Sequence, residues 1–337
     1  YETLPTFAAG DELQDISQYA NGAKSQFVPW TWNQVSLQGQ VFGIPVDTGP
    51  EALFYRKDLY TKYGLAVPKT WDEFAADAKK LHTADPGAYL STSPQDAYEL
   101  SGLAWQNGAH WFGTSGNQWK VTINDAASKK VAQYWDGLLS QKLVKNEPSW
   151  DTAVFADLNS SKVISLIGAV WGASLLSSNV PNTSGKWAVA PMPQWTAGAD
   201  VAGNQGGSST AVLKGCANPQ QAEQFAQWMS TDSGSVTNLI KNTGIYPAAT
   251  SGLSNPELSK PSPYFGNQNI YDVFKDAATH TNTDWQWGPT MDQVESDFTD
   301  ALKTAGNGSS TVTGSLDTVQ TKTVAALKNQ GLQVSGS

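Results

Sequence analysis

The sequence predicts an α/β protein built as two lobes. The 337 residues are more than one hydrophobic core usually serves. Short strand-like apolar runs alternate with capped, amphipathic helices along the whole chain. At 39% hydrophobic and 15% charged residues, the composition is that of a compact globular chain rather than a disordered or fibrous one. Sheets covered by helices on both faces, with ligand sites outside the strand ends, follow from that alternation.

In chain order, the strand-like runs are GIPV at 43–46, ALFY at 52–55, VISLI at 163–167, WAVA at 187–190 and TAVL at 210–213. A helix is expected from Trp71, because Thr70 can cap it and Glu73 can complete a capping box ahead of Phe74, Ala78 and Leu81. Asn124 is expected to cap a second helix, whose Ala127, Val131, Tyr134 or Trp135, and Leu138 share one face. A third opens at Asn218-Pro219, with Ala222, Phe225 and Met229 as its inward stripe. Two more are expected over 291–303 and 316–328, separated by an exposed loop at 306–311, with 334–337 frayed. No internal repeat is visible.

Composition narrows the chemistry. Thirty acidic against 21 basic residues give a formal charge of -9, which opposes binding to nucleic acid or to an anionic membrane and suits a neutral or cationic ligand. Cys216 is the single cysteine, so an internal disulfide or a zinc ribbon is out, and an inert buried thiol is expected. The longest apolar run, 163–176, is broken by Ser165, Gly168 and Gly172 and falls short of the roughly 18 residues of a membrane span, so a soluble protein is expected. The opening Tyr1-Glu2-Thr3-Leu4-Pro5 has no signal-peptide pattern and reads like the inside of a domain, so an upstream segment is expected.

Motif searches find little catalysis. Three histidines, His82, His110 and His280, are available as bases, none within a nucleophile signature, and no G-x-S-x-G elbow, phosphate-binding glycine loop, H-E-x-x-H or calcium loop occurs. Neither a metal nor a cofactor is expected. Paired carboxylates for glycoside hydrolysis stay open, because their separation is spatial and not a sequence spacing.

The conspicuous feature is 14 tryptophans, several flanked by glycine and amides, as in AWQNG at 104–108 and AVWG at 169–172. A tryptophan in such surroundings can present its ring to a ligand. A pyranose offers one apolar C–H face and a rim of hydroxyls, so aromatic faces with carboxylate and amide acceptors form the matching site. Trp71, Trp135 and Trp228 read instead as helix or core residues.

The stretch GIPVDTGPEALFYRKDLY at 43–60 is followed by VPKTWDEF at 67–74, WQNGA at 105–109, GAVWG at 168–172, VAPMP at 189–193, GGSS at 206–209 and Asn218-Pro219. With these ordered motifs the chain resembles the extracellular sugar-binding proteins of ABC importers, the maltose-binding-protein-like family, over nearly all residues from Leu4 to about Leu332. The resemblance implies a type II periplasmic-binding-protein fold, a hinge between lobes and a ligand in the cleft. It implies three crossings between lobes, at 46–48, 208–211 and 285–288. Lobe one would hold 1–46 and 211–285, and lobe two 47–210 and 286–337. Family members carry further chain before the equivalent of Tyr1, including the first strands and helix of lobe one.

The function implied is capture of a neutral oligosaccharide by a monomeric receptor outside the cytoplasm, lipid-anchored or periplasmic, which hands it to the transmembrane subunits of an ABC transporter without cofactor or reaction. The ligand residues implied are Glu2 and Asp47 as acidic acceptors, Tyr98 with Asp96 beside it, Trp171 as the stacking ring of lobe two, and Trp287 closing over the sugar. Gly206 and Gly207 would admit the ligand to the backbone, and Trp105 and Asn107 could serve either the site or the structure. The rival readings are a glycoside-active enzyme using two of Glu2, Asp47 and Asp96, and a lectin-like surface module without a hinge.

Overall fold

The computed structural model describes residues 1–20, 22–306 and 308–335. Its organising element is the strand Glu51–Arg56, paired antiparallel with Ser165–Ala169 on one edge and Trp187–Ala190 on the other, with Leu53 opposite both Ile167 and Ala190. Ala52, Leu53 and Phe54 have no exposed surface, as a continuous apolar run requires when both faces of a sheet are covered. Successive side chains point to opposite faces. Leu53 joins a core cluster with Trp71, Leu100 and Trp135, and Phe54 joins a separate one with Leu158, Leu166, Phe265 and Phe274.

On the Leu53 side lie the capped helices. Trp71–Ala84 starts at Thr70, whose hydroxyl accepts from the Glu73 N–H at 3.2 Å, while the Glu73 carboxylate reaches back to the Lys69 N–H rather than to Thr70. Ala97–Gln106 is capped by Asp96, and Ala126–Ser140 by Asp125, one residue after the expected Asn124. The terminal helices Met291–Gly306 and Val312–Asn329 pack on each other, the first also on Ala97–Gln106 and the second on Ala126–Ser140. Asp136 anchors the last helix by accepting from the Val312 and Thr313 N–H groups. The expected loop at 306–311 includes residue 307, outside the described residues, and Thr311 caps the helix that follows. Residues 334 and 335, expected to fray, form a short strand parallel to Trp119 and Lys120; residues 336 and 337 lie outside the described residues.

The second unit gathers around Gly43–Pro45, antiparallel to Ser209–Ala211, with the helix Pro219–Thr231 packed against it. That helix turns Glu223, Ala226 and Ser230 inward. Phe225, expected inside, is 60% exposed and stacks at 5.9 Å on Trp228, itself 52% exposed and not a core residue. Cys216 is half-buried. Among the described residues no helix is long and apolar enough to cross a membrane.

The chain passes between units where 46–51, 203–209 and 246–248 run side by side. The Val46 N–H donates to Ser208 O at 2.8 Å, the Ala248 N–H to Val46 O at 3.0 Å, and Asp47–Thr48 pairs with Tyr246–Pro247. The third passage therefore lies near 246–248 and not at 285–288. Residues beyond it pack on the central sheet: Phe274 meets Phe54 at 5.7 Å, and the Gln268 amide exchanges two hydrogen bonds with Val189. The stretch 256–279, assigned above to lobe one, thus sides with 47–210, because its aromatic residues complete the core under Phe54. Trp285 and Gly288 sit deeper in that unit, Gly288 against the Phe112 ring.

Candidate functional site

The passage point is also where the sequence-selected residues meet. Asp47 is 4% exposed; its Oδ1 accepts from the Ser208 N–H at 2.7 Å and its carbonyl accepts from the Tyr1 hydroxyl at 2.9 Å. Burial pushes its carboxyl up to about 6. The structure therefore gives Asp47 a holding role across the passage, through its contact with Ser208. Gly206 and Gly207 lie next to it at φ +77° and +92°, a region that side chains rarely adopt. At Gly207 a Cβ would also press on the Tyr1 ring at 2.8 Å and on Asp47 O at 3.0 Å.

Trp171 stands at the start of the helix Gly172–Asn179, just after the strand Ser165–Ala169. It is half-buried, and its indole N–H donates to Gln205 O at 3.2 Å. Trp150 meets it edge-on at 5.1 Å. Gly168 and Gly172 make room for this pair, since a side chain on either would run into the Trp150 ring. The Gly-Ala-Val-Trp-Gly motif is thus a seat that holds one indole behind another.

Acids gather around the start of the Ala97–Gln106 helix. Asp96 Oδ1 accepts from the Glu99 N–H at 2.8 Å as a helix cap, and burial raises its carboxyl. Glu295, on Met291–Gly306, accepts from the Ala97 N–H at 2.9 Å and is pushed up to about 7, mainly by burial and then by Asp96. Tyr98 is half-buried; burial, then the charges of Glu2 and Glu295, drive its phenol above the usual range. Glu2 is half-buried and acts on Asp47, Tyr98 and Glu295. The structure thus brings Glu2, Asp47, Asp96, Tyr98, Gly207 and Glu295 into one electrostatic neighbourhood, with Trp171 joined to it through Gln205 and Gly206.

Three selected residues serve the core instead. Trp105 is 1% exposed, stacks face to face on Trp285 at 4.8 Å and 8°, and donates its N–H to Asn282 O. Trp287 is 3% exposed and meets both rings edge-on, so it offers no open face to close over a sugar. Asn107 ends the Ala97–Gln106 helix and donates its amide to Ala127 O at 2.8 Å, a turn-holding role.

The sequence reading missed Glu295, which is nearly 200 residues from Asp96 and carries no local signal. It also missed Glu51, although an acid opening an apolar strand is a visible anomaly. Asp200, Asp276 and His280 bring one ligand-type atom each within 4.8 Å of one another, but all are exposed and the histidine is engaged by both acids.

A family model described as bacterial extracellular solute-binding protein matches residues 1–235. Among curated proteins, a lactose-binding protein of Rhizobium radiobacter is 26% identical over 75% of this chain and 60% of its own length. An arabinooligosaccharide-binding protein of Halalkalibacterium halodurans is 22% identical over 83% of this chain and 64% of its own. The chain thus spans less than two thirds of these relatives. Among solved structures, the galacto-N-biose/lacto-N-biose I-binding protein of Bifidobacterium longum, in complex with lacto-N-biose, is 32% identical with a TM-score of 0.88, over 99% of this chain and 82% of that one. An ABC-transporter-associated binding protein of B. animalis subsp. lactis, in complex with β-1,6-galactobiose, is 27% identical with a TM-score of 0.91, over 100% of this chain and 85% of that one. The two-lobe fold is shared with both.

Proposed function

Because the chain belongs to the bacterial extracellular solute-binding proteins, we propose that it is the sugar receptor of an ABC importer, binding a neutral oligosaccharide without transforming it. The observation that carries this reading is the Trp171 indole, fixed from behind by Trp150 and through its N–H by Gln205, beside a group of carboxyls at the passage between units. A ring held in that way can stack on the C–H face of a pyranose. The carboxyl oxygens of Glu2 and Glu295 can accept from the hydroxyls on its rim.

The relatives support the ligand class: two bind a named sugar in their structures, and two more are named for lactose or arabinooligosaccharide. The family description supports an extracytoplasmic place of work. A lipid anchor or a free periplasmic form, and docking of the sugar-loaded monomer on transmembrane transporter subunits, complete the proposal.

Contacts from both units to one ligand favour their closed arrangement, with 46–51, 203–209 and 246–248 as the hinge. The ligand contacts would come from Trp171, Tyr98, Glu2, Glu295 and the backbone at Gly206 and Gly207. Asp47 and Asp96 would hold the segments that carry them.

Titration calorimetry against a glycan panel that includes lactose, lacto-N-biose, β-1,6-galactobiose and arabinooligosaccharides tests the reading. Saturable heat with an oligosaccharide, and no product after prolonged incubation, is expected. A folded full-length protein that gives no heat with any sugar removes the sugar assignment, and released monosaccharide would make the protein an enzyme.

A further inference from the structure

Glu51 is an acid where the strand pattern calls for an apolar side chain. It opens the central strand at 2% exposure, directly ahead of Ala52, Leu53 and Phe54. Its carboxyl packs against Gly102, on the Ala97–Gln106 helix, and against Gly203, on the segment that carries the cleft glycines, at a point where the two glycine backbones themselves touch. A Cβ on Gly102 would come within 2.6 Å of Oε1, and one on Gly203 would overlap Oε2. Oε2 has no hydrogen-bond partner among the described residues. The carboxyl borders a small space of about 20 Å³, enough for one water, shared with Thr92, Glu99, Ser149 and Gln205.

The backbone at this point is tied closely to the cleft. The Glu51 N–H donates to Gly203 O at 3.1 Å, the Gly49 N–H to the Asn204 side chain at 2.9 Å, and the Gln205 N–H to Gly49 O at 2.8 Å. Gln205 O is in turn the acceptor for the Trp171 indole. We propose that Glu51 is a positioning residue of the cleft: its side chain packs against both the 203–207 segment and the Ala97–Gln106 helix where the two meet, and thereby sets where the Trp171 indole is held.

Neither Gly102 nor Gly203 has a side chain, and a Cβ on Gly203 would also overlap Gly102 O, so the two backbones meet directly beside the carboxyl. It works as a neutral acid. Burial raises its carboxyl far above the ordinary range, with Glu99 adding to the effect. Glu99 is itself pushed up to about 8, first by burial and then by Asp96. The groups facing this pair are acids on every side: Glu99 and Asp96 from Ala97–Gln106, and Glu295, which acts on Asp96, from Met291–Gly306. Among the described residues no lysine or arginine bonds to Glu51 or Glu99. Raising the pH through this range puts like charges into a small space, and the loop that holds Trp171 must give way.

The indole position needs no ligand to be measured, whereas the effect on affinity rests on the receptor reading above. In ¹⁵N-labelled protein, the Trp171 indole N–H resonance is assigned by its loss in Trp171→Phe and followed from pH 6 to 9.5. Glu51→Gln, neutral and of the same shape, is expected to keep the wild-type pH 6 position and to reduce the pH-dependent shift, leaving the part that Glu99 contributes. Glu51→Ala and Gly102→Ala are expected to move the resonance at every pH. If Glu51→Ala does not fold, the comparison of Glu51→Gln with wild type decides alone.

Calorimetry with the tightest sugar of the panel should show roughly tenfold weaker binding for Glu51→Ala and unchanged binding for Glu51→Gln. An unmoved indole resonance in the folded alanine variants, or an unaltered pH shift in Glu51→Gln, overturns the proposal. Sugars that fail to bind refute the receptor reading and leave the indole measurement to judge Glu51.

Discussion

Two groups of tryptophans in this protein do opposite work. Trp30, Trp105, Trp111, Trp285 and Trp287 form a chain of contacts with centroids 4.8 to 6.4 Å apart, and all five are buried. Trp150 and Trp171 form a pair at the passage between units, half-buried, with the Trp171 N–H turned back onto Gln205. Trp105 and Trp171 share a local sequence character, each flanked by small residues and glycine. They differ in what surrounds them in space. Trp105 is stacked and edged by other indoles and buried, while Trp171 meets Trp150 edge-on and stays half-buried. Flanking residues therefore do not decide whether an indole binds a ligand; the number of ring surfaces the fold itself occupies does.

The largest effect should come from the buried group. Trp105→Ala removes a ring stacked on Trp285 and leaves Asn282 O without its donor, so a loss of about 3–5 kcal/mol is expected, read as a drop in Tm and in the urea midpoint. A Trp105→Ala protein with wild-type Tm and lost sugar binding would move Trp105 into the site. Next, Trp171→Ala should weaken sugar binding by about 1–3 kcal/mol in calorimetry and leave Tm nearly unchanged. Equal loss of stability would mean the two groups do not differ.

A pH series separates the regions differently. Glu51, Glu99 and Glu295 are all raised in the folded state, chiefly by burial, so the fold holds protons that the unfolded chain releases. Their contribution is complete below the ordinary carboxylate range and is lost as pH climbs through about 7 and about 8. Tm should therefore fall between pH 5.5 and 8.5, and Glu99→Gln should flatten the slope. A Tm that rises over this interval contradicts the assignment. No ionisable side chain belongs to the five-indole cluster, so its fluorescence should stay constant over the same range while that of Trp171 shifts. The smallest effect is expected at Trp228, whose ring is 52% exposed: Trp228→Gln should change stability by no more than about 0.5 kcal/mol.

Local pattern was legible wherever one residue's chemistry settles the matter. Thr70 caps its helix, Pro219 opens another, and the strand Trp187–Ala190 has the bounds its apolar run suggested. Patterns that depend on neighbours were less secure. Phe225 has the spacing of an inward residue, yet the helix rotates so that Glu223 and Ala226 face the strand below it. The family resemblance implies Asp47 as a ligand acceptor and Asp96 beside Tyr98 in the ligand set, and the structure commits Asp96 to a helix cap and Asp47 to the Ser208 N–H.

By itself the sequence determined the α/β class with two lobes and the alternation of strands and capped helices, which follow from length, capping and periodicity, and the family resemblance singled out Trp171, Gly206 and Gly207; the seat that Gly168 and Gly172 make for Trp150 behind Trp171, and the positive φ at Gly206 and Gly207, came from the structure. Only the tertiary structure decided that the third passage lies at 246–248, that Trp105 and Trp287 are core, and that Glu295 and Glu51 belong to the site region. These depend on segments 50 to 200 residues apart sharing one space, and on burial, which shifts a carboxyl's ionisation only once the surrounding chain has closed over it.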